Sequence, residues 1–188
     1  MNTQADRPEP IQVAVVDAET DLCTLDEKTH ECPPKVELFT NSKELTLAGC
    51  FKEGRRALAH LPQLRPDIAL INSCLPDMSG VECARRLSMA GKDLRLMMTA
   101  KAMEGAMVLQ ALMAGARGIL IQPYTMADLA QGLLTLQQEG VFLCARATLL
   151  LVEFFHHAHA AQGNPEMFTP RETEILTYLL ARLSDREI

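Results

Sequence analysis

Five short runs along the chain are almost wholly apolar: IQVAVV, LTLAGCF, IALIN, LRLMMTA and GILI. Each ends in acidic, glycine, proline or polar residues. Runs of this length without strict alternation suit strands buried on both faces of a parallel sheet. Between them the apolar residues recur at helical spacing. GRRALAHLPQL carries Ala57, Leu58, Leu61 and Leu64, and GVECARRLSMAG carries Val81, Ala84 and Leu87 before Gly91. GAMVLQALMAGA carries Val108, Leu109, Leu112 and Met113, and TMADLAQGLLTLQQEG opens on Thr125 with Asp128 three residues later, a capping signature. Strand and helix therefore alternate five times, which predicts a doubly wound α/β domain over residues 10–140, built on a five-stranded parallel sheet. Residues 19–44 fit this pattern worst. The Pro33–Pro34 pair suits a helix start, so the segment reads as a polar loop to about residue 32 and then a short helix.

Beyond Gly140 the pattern changes. Residues 141–168 read as an apolar helical linker ending in the turn-rich QGNPE. Residues 169–188 begin afresh: Thr169 is placed as an N-cap, Pro170 at the first helical position, and Glu172 completes a capping box. Ile175, Leu176, Leu179, Leu180 and Leu183 form an apolar stripe, and SDRE is a second capping box just before Ile188. Such a stripe needs a partner, so this segment is expected to be the incomplete opening of a further domain.

Composition narrows the function classes. With 48% apolar and 22% charged residues, the chain is ordinary for a globular protein, and a net charge of −6 with no basic tail equips it poorly to bind nucleic acid by itself. The polar N-terminus is not a signal peptide, and no apolar run reaches membrane-spanning length. The six cysteines form no C-x-x-C pair, which predicts reduced thiols, a cytoplasmic location and neither disulfide framework nor zinc site. The cluster Glu153, His156, His157 and His159 reads as a solvated helix turn rather than a metal site, for want of a distant ligand. Met97, Met98, Met103, Met107 and Met113 read as core packing.

In a doubly wound sheet, chemistry gathers at the carboxyl ends of the strands. The residues to inspect there are Asp17, Ala18, Asn72, Thr99 and Gln122. The segments VAVVDAE, PDIALINSCLPDMSGVE, LMMTA, AGARGILIQP and FTPRETEILTYLLARLSDREI give the sequence a resemblance to a bacterial response regulator of the NarL/FixJ arrangement: a receiver domain followed by a LuxR-type helix-turn-helix. The resemblance implies a CheY-like (flavodoxin-like) fold, a Mg²⁺-binding acidic pair at Asp17 and Ala18, a phosphoryl acceptor at Asn72, a hydroxyl at Thr99, a lysine at Gln122 and an aromatic switch residue at Ile119. Only Asp17 and Thr99 keep that chemistry. An amide is not a nucleophile for acyl-phosphate formation, and Mg²⁺ wants several hard oxygen ligands with one or two carboxylates. A buried lysine at position 122 would lack a counter-ion, which a neutral glutamine avoids. Deamidation of Asn72 would leave Ala18 and Gln122 unsuited.

The reading is a pseudo-receiver of an atypical LuxR-type transcriptional regulator, not an enzyme, binding no Mg²⁺ or other cofactor and acting through phosphorylation-independent homodimerisation or a protein partner. DNA binding is expected only of a complete helix-turn-helix, whose recognition helix lies beyond Ile188; Arg182 stands where the family usually has glycine. The alternative is a receiver-like adaptor without DNA-binding activity. Within the pocket two readings stand side by side: a repurposed site, and a set of hydrogen-bonding residues with no task. The expected association surface comprises Leu129, Leu133 and Leu136 with Phe154 and Phe155.

Overall fold

A computed structural model describes residues 9–18, 38–39, 42–90 and 93–162, with side chains through residue 157. The expected loop and helix of residues 19–44 fall almost entirely outside these, as does the helix-turn-helix start at residues 169–188. The described strands are β1 (Ile11–Val16), β2 (Leu45–Phe51), β3 (Ile68–Asn72), β4 (Arg95–Ala100), β5 (Gly118–Ile121) and β6 (Phe142–Leu143). The helices are α1 (Gly54–Leu64), α2 (Gly80–Ala90), α3 (Gly105–Met113), α4 (Met126–Glu139) and α5 (Ala145–Gln162).

All strand pairings are parallel, in the order β2-β1-β3-β4-β5-β6. The doubly wound α/β expectation holds, with one addition. The sheet has six strands rather than five, because the two residues of β6 extend its edge beside β5. Two residues are too few to leave an apolar pattern, so this strand was not legible.

Each strand divides its side chains between two cores, as the two-residue period requires. Ala14, Val16, Ala69, Ile71, Met98, Ile119 and Ile121 face a core completed by α1, α2, α3 and α5. Val13, Val15, Ile68, Leu70, Met97 and Leu120 face the other, completed by α4 and Phe39. The continuous apolar runs are thus the consequence of helices on both faces.

Two expectations about side chains are corrected here. Leu129, Leu133 and Leu136 are not an association surface: all three are fully buried, the stripe by which α4 seats on the sheet. Phe155 is likewise buried, and Phe154 is half-buried and meets it edge-on at 5.8 Å between ring centroids. An amphipathic stripe looks the same whether its own sheet or a second copy covers it. Among the methionines, Met97, Met98 and Met103 are core residues, whereas Met107 and Met113 are exposed.

Local signals are met where they are self-contained. Thr125 caps α4: its hydroxyl accepts from the Asp128 N–H at 3.1 Å while Asp128 accepts from the Thr125 N–H at 2.7 Å. Arg65 closes α1 in the left-handed region, with φ 46° and ψ 53°, and its N–H reaches the Leu61 carbonyl. A residue with a Cβ is strained there, and glycine is not. Arg65→Gly is expected to raise unfolding stability by about 0.5–1 kcal/mol, read as a higher urea midpoint with unchanged m-value.

Candidate functional site

The period of two that sorts the cores also assembles the site. Val15, Leu70, Met97 and Leu120 belong to the α4-side core. Two positions further along their chains come Asp17, Asn72, Thr99 and Gln122, all at the carboxyl edge of the sheet. Asn72 and Thr99 are register partners across β3 and β4. The Ser73 N–H donates to the Thr99 carbonyl at 2.8 Å, the Gln122 N–H to the Ala100 carbonyl at 2.9 Å, and the Asp17 N–H to the Phe51 carbonyl at 2.9 Å. This edge is the switch point, where the chain places β2 on one side of β1 and β3 on the other.

Asp17 and Thr99 are buried, at 1% and 2% exposure, Asn72 is half-buried, and Ala18 and Gln122 are exposed. Asn72 spans the site. Its Nδ2 donates to Asp17 Oδ1 at 3.0 Å, and its Oδ1 accepts from the Cys74 N–H at 3.0 Å. A carboxylate only accepts and a backbone N–H only donates, so a single amide orientation satisfies both. An aspartate at position 72 would set two carboxylates against one another in the same place. The amide turns that repulsion into a hydrogen bond.

The donor set does not fit Mg²⁺. The described residues supply one carboxylate, and one of its oxygens already accepts from Asn72. Position 18 has no side-chain donor, and no group of three or more His, Cys, Asp or Glu side chains among the described residues is placed to hold a metal. Gln122 is exposed rather than buried, so the expected cost of burying a lysine is not what an amide avoids there. The Gln122 carbonyl accepts from Arg146 Nη1 at 2.9 Å, a guanidinium brought from the first turn of α5 that the sequence did not disclose. Ile119, at the position of the switch residue, is fully buried.

The LPDMSG loop proves to be a clamp. Glu53, the N-cap of α1, makes no side-chain cap bond. Asp77 supplies the cap from the β3–α2 loop, accepting from the Gly54 and Arg55 N–H groups at 2.8 Å each. A Cβ at position 54 would come within 2.8 Å of Met78, and one at Gly80 would collide with the Asn72 carbonyl. The loop thus joins α1, α2 and the end of β3 by contacts that do not involve a phosphoryl acceptor. Sequence reasoning missed this role; the faint signal was a helix beginning at glycine with a poor capping residue before it.

The family model described as "Response regulator receiver domain" matches residues 35–134. The chain is 28% identical over 153 residues to the DNA-binding transcriptional activator DevR/DosR of Mycobacterium tuberculosis, covering 81% of this chain and 70% of that one. It is 25% identical over 151 residues to the response regulator protein VraR of Staphylococcus saprophyticus, covering 80% and 70%. A two-component response regulator of the LuxR family from Aurantimonas sp. SI85-9A1 superposes with a TM-score of 0.65 at 17% identity, over 78% of this chain and 99% of that one. The signal receiver domain of a NarL response regulator from Mycobacterium tuberculosis gives 0.59 at 25% identity, over 70% and 98%.

Two measurements check this description. Burial by itself raises the Asp77 pKa, but the N–H donors of Arg55 and Gly54 and the Arg55 charge outweigh it and hold the carboxyl below its ordinary value. A lowered folded pKa contributes stability that is present above the unfolded value near 3.9 and is lost as pH falls through the folded one. Asp77→Ala is therefore expected to cost about 1 kcal/mol at pH 7, with the gap to wild type closing in urea titrations on the acid side of that value. Thr99 Oγ1 is buried with no hydrogen-bond partner. Thr99→Val is expected to raise stability by about 1 kcal/mol, since a buried unmet hydroxyl is removed; a loss of similar size would show that the hydroxyl is engaged.

Proposed function

Because the chain belongs to the response regulator receiver-domain family, we propose that it is the receiver of a transcriptional regulator that works without phosphorylation of an aspartate. One observation carries the reading. The acceptor position holds an amide, and that amide is bound on both sides, to the Asp17 carboxylate and to the Cys74 N–H. It offers no nucleophile, and it holds one of the two Asp17 carboxylate oxygens. With Ala18 bearing no side-chain donor and Gln122 no charge, neither phosphoryl transfer nor Mg²⁺ binding has its usual residues, and this reading assigns the protein no catalytic role.

Regulation then rests on association, as a homodimer or with a protein partner, in the cytoplasm. DNA binding is reserved in this proposal for a complete helix-turn-helix, whose opening the sequence from Thr169 resembles. The relatives include a DNA-binding transcriptional activator and response regulators, which supports a regulatory role over that of a free-standing adaptor. No helix among the described residues is long and apolar enough to cross a membrane.

Incubation with acetyl phosphate and Mg²⁺ is expected to leave the intact mass unchanged, and beryllofluoride with Mg²⁺ is expected not to bind. Asn72→Asp alone is expected to remain unlabelled because position 18 still lacks a side-chain carboxylate. A phosphoryl adduct on the unmodified chain would refute the reading, and rapid labelling of the single variant would refute its metal half.

A further inference from the structure

The helix after β6 does more than lead away from the sheet. Ala147, Leu151 and Phe155, spaced four residues apart, are buried in the same core as Val108, Leu109 and Ala111 of α3 and Ile119 and Ile121 of β5. That stripe alone does not make the seat tight; Gly105 does. At the first position of α3, a Cβ would collide with the Leu150 carbonyl and come within 2.6 Å of Phe154 Cβ. A backbone carbonyl cannot swing aside as a side-chain end can, so glycine there is a steric requirement of the contact. The start of α5 is fixed separately. The Cys144 N–H donates to the Ile119 carbonyl at 3.0 Å, and Arg146 Nη1 donates to the Gln122 carbonyl at 2.9 Å.

We propose that α5 is a built-in occupant of the face formed by α3 and β5, so that no second copy and no other protein docks there, and that Arg146 ties this occupancy to the loop closing the candidate site. The inference does not rest on the site being inert to phosphate. It assigns the face to the chain's own helix, licensed by Gly105. Any homodimer must then use a different face. Any change in the β5–α4 loop that moves the Gln122 carbonyl pulls on the first turn of α5.

Hydrogen–deuterium exchange on the whole chain tests this. Amides of residues 147–157 are expected to be protected within about tenfold of those in β4, as for a helix belonging to the cooperative unit, and equally at low and high protein concentration. Exchange near the intrinsic rate would overturn the proposal. So would protection that rises with concentration, because another copy would then be covering the helix. Gly105→Val is expected to reduce protection in 147–157 by about tenfold more than in β1 and β3; unchanged protection overturns the steric assignment. Should that variant unfold throughout, Arg146→Ala is the decisive one. Its side chain lies outside the core, so exchange is expected to quicken in residues 145–149 alone, and an unaltered pattern there overturns the link to the site.

Discussion

The structure depends on covering one parallel sheet on both faces. The strand period is two, so every strand must supply apolar residues to both cores. Once that holds, a polar residue at or just beyond each strand's end can face either way. Val15, Leu70, Met97 and Leu120 all point to the α4 side, so Asp17, Asn72, Thr99 and Gln122 continue along that side at one edge. The site is a by-product of the register.

That origin explains how the pocket and its frame part company. Asp77 caps α1, Met78 needs the space over Gly54, and Gly80 must lack a Cβ beside the Asn72 carbonyl. None of these contacts requires a carboxylate at position 72. The frame therefore stays intact while the acceptor becomes an amide. In that setting the amide is locally favourable: it pairs with Asp17 where a second carboxylate would repel it. The buried Cys83 thiol, pushed up to about 11 chiefly by desolvation, shows how dry the neighbouring α2 core is.

The helix following β6 extends the same principle. A face built by α3 and β5 is apolar and must be covered. Here the cover comes from the same chain, at no translational cost, and its fit is set by a single missing Cβ. On the proposed reading, regulation lies in which faces remain open rather than in a chemical step at the strand ends.

The sequence by itself determined the strand and helix order, the α/β class, the Thr125–Asp128 cap and the roll of residues at the strand ends. These follow from periods of 2 and 3.6 and from bonds made within a few residues, and such signals are local. Only the tertiary structure decided the rest. The Leu129–Leu133–Leu136 stripe turned inward because a pattern of apolar residues says that a face is covered and not by what. β6, the reach of Arg146 to Gln122 and the Asp77 cap on α1 join positions distant in the chain. The exposure of Gln122 against the burial of Thr99 depends on how strand ends and loops close around one edge. Each is set by three-dimensional neighbours, and no window along the chain contains them.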